Sequence, residues 1–555
     1  MNAKYFQNIS VWVWAVALMP WVWIVPMNSY FFDDWGTAPL RSWLDHVARW
    51  QGSAKHYLNP VMYFLLTPFG PWIFHVLMII SIVVIATSLS AIVSKTNLLS
   101  AGLSKWVGPM CLAMPVFDAR FASSVLEYCF GLASLLSAWR LFISPRSKAK
   151  ELLALALLVY AIGVPSLAIL FVPLWLHITV RESSNQDWIG RISTGLRYLT
   201  ILAIPIVYAF IFQAFVNSGG RYGLTLGGIG TFLRGLLVLL ILGGVGLSVL
   251  WHRQRGRFTA WLLTGGLGIA AYFGFFPYFA VGYSPFDHLF LWRNNRPETW
   301  MPFVVVPVGA FILLTAWLLV TAKLARREFP NVLVGGLPVM VFVIFFGTSA
   351  YALGPFGWES RLHLIFWPLL TVFLLALIAA ARKEHQQILA AASFVVLLVA
   401  TLGISSEWFV DSILQKSIVK AVAVDLNPVP AERAGISYVV VIDPTAGYAK
   451  LGARGRGGDA AEWRGLIASG LDIEPFSMRL LHLNDFASQA RRKCAEPIDA
   501  IYFRPEILSS RLEVLTRFQV RLRLNAQTIS VCDVSENYPW WSNPSPLAGR
   551  SSAQE

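Results

Sequence analysis

Asp33 and Asp34 stand side by side in the stretch NSYFFDDWGTAPL, residues 28–40, directly after the first strongly apolar segment of the chain. Tyr30, Phe31, Phe32 and Trp35 surround them in sequence. Two adjacent carboxylates among aromatics repel each other and are costly to desolvate, so the pKa of one should rise. Such a group suits general-base work, taking the proton from a hydroxyl as the hydroxyl attacks. A bland role competes: an Asp can cap the helix that follows or complement its dipole. One acid would satisfy that role, and two are present. Asp34 lies nearer Thr37 and is the better capping partner, Asp33 the better base; helix-start geometry cannot be fixed from sequence, so both stay candidates.

Other polar groups recur where the chain leaves apolar segments. Asp118 and Arg120 form the short connection DAR between two apolar runs. The stretch YSPFDHLFLWRNNRPETW (283–300) carries Asp287, His288, Arg293, Arg296 and Glu298, and GPFGWESRLHLIFWP (354–368) carries Glu359, Arg361 and His363. The two stretches share a pattern: a Trp, an Arg soon after, then an apolar helix with an early Pro. A guanidinium fork suits phosphate. One such Arg alone could simply snorkel to lipid headgroups. Three, Arg293, Arg296 and Arg361, on the face that holds the acid pair point to an anion site. Trp35, His56, Asp118, Arg120, His288 and Glu359 are candidates for lining the same cavity.

The elements that must position these groups belong in a bilayer. Hydrophobic residues make up 56% and charged residues 13% of the 555-residue chain, where a soluble domain carries about a quarter charged. Apolar segments fall near 10–27, 72–94, 107–117, 121–143, 152–163, 165–180, 198–216, 231–251, 258–280, 301–322, 331–352, 362–381 and 388–404, which predicts about 13 transmembrane helices. The 23 tryptophans gather near predicted helix ends, as interfacial aromatics do. No small-residue cleavage site follows the first segment, so it reads as an uncleaved helix. With a cytoplasmic N-terminus, the inside connections hold 17 Lys and Arg and the outside ones 8, in keeping with the positive-inside rule. The net charge of +14 then reports loops facing anionic lipid and does not call for nucleic acid.

This topology places Asp33 and Asp34 outside. Leu40, Trp43, Leu44 and Val47 then follow at helical spacing opposite Arg41, Asp45, His46 and Arg49, which predicts an amphipathic helix lying in the interface. The stretch 56–72 is apolar but broken by three prolines, and reads as re-entrant or surface-lying. Residues 405–555 are left outside and change character. ISYVVVID (436–443), PIDAIYF and FQVRLRL read as strands and GARGRGGD (452–459) as a loop, so a small C-terminal α/β domain is expected. A disulfide between Cys494 and Cys532 competes there with two buried thiols. Cys111 and Cys129 read as packing.

An outward-facing acidic pair after helix one, followed by an interfacial helix, resembles the GT-C superfamily of membrane glycosyltransferases. The helix pairs 107–117 with 121–143 and 152–163 with 165–180, and the C-terminal extracytoplasmic domain, fit that likeness. Within the superfamily the chain looks most like bacterial enzymes that decorate surface polysaccharide, such as O-antigen glucosyl transferases of the inner membrane. The resemblance implies transfer of a sugar from an undecaprenyl-phosphate carrier to a surface polysaccharide or lipid-linked glycan, with an Asp of the first outer loop as base. Some members hold the phosphate with a divalent metal such as Mg or Mn. Asp33, Asp34, Asp118, His288 and Glu359 could supply ligands, though their spacing defines no metal site. A transporter or flippase of lipid-linked saccharides, or a polymerase of them, is the competing class.

Overall fold

Long apolar runs form helices whose ends are fixed by contacts from other parts of the chain. The structure, a computed structural model, describes residues 11–22, 24–29, 43–44, 59–95, 99–114, 125–145, 147–164, 167, 170–182, 188–216, 364, 366–380, 383–426, 439–442, 451, 460–471, 479–482 and 497–532. The predicted spans 231–251, 258–280, 301–322 and 331–352 lie outside the described residues.

The helices are α1 (Val11–Val22), α2 (Ile24–Met27), α3 (Asn59–Leu66), α4 (Pro71–Ser94), α5 (Ala101–Ser104), α6 (Val107–Ala113), α7 (Leu126–Phe142), α8 (Lys148–Ala161), α9 (Phe171–Glu182), α10 (Trp188–Val216), α11 (Phe366–Ala380) and α12 (Lys383–Leu426). Two of them, Pro71–Ser94 and Lys383–Val424 within α12, are long and apolar enough to cross a membrane. Pro71 starts α4 at its first position, where its missing N–H costs nothing. Ser147 caps α8 by accepting from the Lys150 amide at 3.3 Å. The broken stretch 56–72 resolves into α3, a 3-10 turn over Thr67–Phe69, and Gly70 at φ 83°, a left-handed conformation that glycine adopts without strain. Tyr63 of α3 is buried and packs on Phe74 with ring centres 5.2 Å apart, while Phe64, Leu65 and Phe69 stay exposed. Of the predicted interfacial helix, Trp43 and Leu44 are described: both are helical and exposed, and Trp43 meets Phe64 edge-on at 5.7 Å.

The centre of the bundle is α6. All seven of its residues are buried, and it packs against α1, α4, α11 and α12. A Cβ on Gly108 would run into the Trp14 ring, so the missing side chain is what lets α1 come this close. The last carbonyls of a helix have no partner inside it. Here three other helices supply donors: Trp21 Nε1 to Leu112 O at 3.2 Å, Trp367 Nε1 to Cys111 O at 2.5 Å, and Thr401 Oγ1 to Ala113 O at 2.6 Å. Trp367→Phe keeps an aromatic ring but removes the donor and part of the buried indole's volume. The Cys111 carbonyl still accepts from the Met114 amide at 3.4 Å, so losing the indole bond costs about 0.5–1.5 kcal/mol. A lowered Tm of the purified protein is therefore expected, whereas exposed Trp12→Phe should change stability by no more than about 0.5 kcal/mol.

One end of the bundle gathers the connections that the charge pattern puts on a single side. Lys95, after α4, donates to Ile143 O and Ser144 Oγ, both at 3.3 Å, and Arg181 of α9 also donates to Ile143 O. Trp106 donates to Gln387 at 2.9 Å. Segments 95–106, 144–151, 181–197 and 382–387 thus have members in contact at that end.

The helix α12 departs from expectation. The apolar span was expected over 388–404, with a separate unit beginning at 405; the helix instead runs unbroken through that point for 44 residues, about 66 Å. Hydropathy falls at Ser405 because the sequence turns polar, yet nothing there breaks a helix. Beyond it, Val410, Ile413, Leu414, Ile418 and Val422 form a second core with Trp463, Leu466, Ile467, Val514 and Leu524. That core joins α12 to a four-stranded sheet. Its strands are β1 (Val439–Ile442), β2 (Arg479–His482), β3 (Pro497–Ile507) and β4 (Leu522–Cys532), in order β2-β1-β3-β4. Strand β1 is parallel to β2 and β3, and β4 is antiparallel to β3. Helix α13 (Ala460–Leu471) supplies the β1–β2 crossover and packs on α12, with Gly470 close against Val422 and the Val419 carbonyl. Helix α14 (Arg511–Arg517) joins β3 to β4. The expected loop 452–459 and Cys494 lie outside the described residues. Cys111 and Cys129 are buried in the helical core.

Candidate functional site

Asp33, Asp34, Trp35, His56, Asp118, Arg120, Asp287, His288, Arg293, Arg296, Glu298, Glu359, Arg361 and His363 all lie outside the described residues. What the structure gives is the frame from which their segments leave, and that frame is tightly built.

The acid-pair segment leaves from the end of α2. Asn28 takes a left-handed φ of 39° and its amide donates to Val25 O at 3.3 Å, the turn with which helices often end. The Met27 carbonyl accepts from Ser29 Oγ at 3.0 Å and from Lys416 Nζ at 2.5 Å. A cation on the last carbonyls complements the negative end of the helix dipole. Asn28 Oδ1 in turn accepts from the Trp72 amide at 3.1 Å. Helix α4 has Gly70 at its N-cap and no side-chain cap of its own, so Asn28 supplies that cap from another segment. One residue thus fastens the end of α2 to the start of α4, while Lys416 fastens it to α12. Asp33 follows Ser29 by four residues, and four residues span at most about 14 Å.

Two of the other candidate segments, those with Asp118 and Arg120 and with Glu359 and Arg361, adjoin described residues in the same neighbourhood. The segment with Asp118 and Arg120 follows α6, whose terminal carbonyls the indoles and Thr401 hold. The segment with Glu359 and Arg361 precedes Leu364, which is fully buried, and Trp367, which donates to that same helix end. Trp21, on the same helix end, belongs to the run that leads to the acid pair. Three of the candidate segments therefore have roots converging on one buried helix terminus.

Several buried ionisable groups in this region were not anticipated. His75, near the start of α4, and Glu127, in the first turn of α7, are both buried. Both helices run toward the Lys95–Ile143 contact, so these residues sit at the opposite end, the end of Asn28 and Trp72. On α12, Glu407, Asp411 and Gln415 recur every fourth residue and all are buried, with Gln415 Nε2 donating to Asp411 Oδ2 at 3.2 Å. Ser405 on the same helix donates to Pro20 O at 2.8 Å. The signal was available: an i, i+4, i+8 polar stripe in SSEWFVDSILQK. An apolar span ending at 404 leaves this stripe outside the predicted helix. Among the described residues no three His, Cys, Asp or Glu converge as a metal site would require.

No family model, curated protein or solved structure matches this chain.

Proposed function

We propose that this chain is a bacterial inner-membrane glycosyltransferase of GT-C type. It would transfer a sugar from an undecaprenyl-phosphate carrier to a hydroxyl of a surface polysaccharide or lipid-linked glycan outside the membrane. The observation that carries the reading is the shared frame: the segments bearing the acid pair, Asp118 with Arg120, and Glu359 with Arg361 are rooted on one buried helix terminus. In a lipid bilayer α4 and the lower half of α12 span the hydrocarbon, Lys95, Arg140 and Arg181 face the cytoplasm, and the sheet-bearing half of α12 stands outside.

The chemistry follows from the residue types. The acceptor oxygen attacks the anomeric carbon, whose bond to the phosphate oxygen breaks as the new glycosidic bond forms. The acceptor proton passes to a carboxylate of the Asp33–Asp34 pair. Charge grows on the departing polyprenyl phosphate, and Arg361 with Arg293 or Arg296 stabilises it in a water-poor site. Trp35, His56, Asp118, Arg120, His288 and Glu359 are the candidates for lining the acceptor cavity. If Asp33, Asp34, Asp118, His288 or Glu359 held a divalent ion such as Mg or Mn, it would supply further charge neutralisation on the leaving phosphate.

The short buried helix α6 also suits a transporter, in which carbonyls at a helix end coordinate a coupling ion. In this chain the Cys111, Leu112 and Ala113 carbonyls already accept side-chain hydrogen bonds, so this helix end serves packing. Reconstitution separates the two readings. Proteoliposomes are given a polyprenyl-phosphate sugar labelled in the sugar, with an extracted bacterial polysaccharide as acceptor. A transferase releases polyprenyl phosphate and moves label into polysaccharide. Label crossing the bilayer with the carrier bond intact would establish the transporter instead.

A further inference from the structure

We propose that the corner where α4, α7, α8 and α9 meet is a binding site for the phosphate headgroup of an anionic phospholipid, held by Lys95, Arg140, Lys150 and Arg181. The site rests on the membrane reading above and is independent of the transfer chemistry.

The corner is built around the turn Ile143–Ser144–Pro145 that ends α7. Lys95 Nζ and Arg181 Nη1 both donate to the Ile143 carbonyl, so two cations from different helices share one oxygen. Lys95 also donates to Ser144 Oγ, which donates onward to Arg140 O at 2.7 Å. Lys150 Nζ donates to Pro145 O at 3.1 Å. The negative end of the α7 dipole draws cations here, but one partial charge does not balance four full ones. Burial, and then the charges of Arg181, Arg140 and Lys150, hold the Lys95 ammonium below its ordinary pKa. The sequence neighbours Glu151 and Glu182 leave the corner cationic, since Lys148 adds a fifth positive charge.

An anion that bridges Lys95 and Arg181 would relieve this repulsion, and phosphate is the group that the guanidinium fork and the ammonium fit together. The neighbouring surface says which phosphate. Leu152 and Leu153, one turn beyond Lys148 and Lys150 on α8, are 71% and 52% exposed. A cationic turn directly bordered by bare leucines matches an amphiphile, with headgroup on the turn and acyl chain along α8. A free phosphate would gain nothing from the leucines.

The test uses the full chain in neutral detergent, titrated with phosphatidylglycerol or with phosphatidylcholine of the same acyl chains, and bound lipid is counted by native mass spectrometry. Phosphatidylglycerol should bind preferentially. A cation near the surface contributes about 1 kcal/mol, so Lys95→Gln and Arg181→Gln should each weaken that binding about 5-fold, and the pair about 25-fold. Lys148→Glu, at an exposed position, should weaken it without touching the turn. Equal binding of the two lipids, or an unchanged affinity in the double variant, would overturn the site. Glycerol 3-phosphate competing as strongly as the lipid would overturn the lipid assignment. A chain that stays soluble without detergent would overturn the membrane reading and this site with it, whereas a membrane-bound chain indifferent to headgroup overturns the site alone.

Discussion

Arg361→Ala is expected to lower transfer from the polyprenyl-phosphate donor by about 10²–10³-fold, at unchanged expression and Tm. The guanidinium is expected to meet the leaving phosphate, where charge builds only as the donor bond breaks. Its loss should appear in kcat, with a smaller rise in donor KM from weaker ground-state binding. Arg361→Lys keeps the charge and loses the fork, and should recover only part of the rate. Arg293→Ala and Arg296→Ala discriminate further, since at least one of them is expected to share the phosphate. Steady-state transfer assays on matched membrane preparations read this directly. Near-normal kcat in all three alanine variants would remove the anion site from the account.

The frame behind this expectation was legible only in part. Helices α4, α7 and α8 follow from the apolar runs 72–94, 121–143 and 152–163, whereas the starts at Pro71 and Ser147 were not anticipated. Strand β1 falls inside ISYVVVID, and β3 contains PIDAIYF. Strand β4 starts at Leu522, in the last residues of FQVRLRL, and runs on to Cys532. Strand β2 was not anticipated, because four residues, RLLH, carry too little pattern. The caps on α6 could not be read at all. They join Trp21 to Leu112, Trp367 to Cys111 and Thr401 to Ala113, pairs far apart in sequence, and a tryptophan that donates to a buried carbonyl looks in sequence like any other core aromatic. The same holds for Lys416, whose partner is the Met27 carbonyl on the first apolar run. The continuation of α12 past Ser405 was hidden for another reason: hydropathy measures where lipid contact ends, whereas the helix is kept by a second core around Val410, Leu414 and Ile418. The acids and arginines of the candidate site were legible as residue types, and their mutual placement was not.

The opening acid pair decides the account. Replacing a general base by its amide keeps the shape and removes the proton acceptor, which costs about 10²–10⁴ in rate. An Asp that only caps a helix tolerates the same change, because Asn caps about as well. Asp33→Asn and Asp34→Asn therefore separate chemistry from structure at one heavy atom each. The measurement is initial rate of sugar transfer from a polyprenyl-phosphate donor, at equal membrane expression, for the two variants and the parent chain. One variant, with Asp33→Asn favoured, is expected to fall by at least about 10²-fold while its Tm stays that of the parent. Near-normal transfer in both variants would contradict it, leaving the pair a structural feature of the segment after the first apolar run.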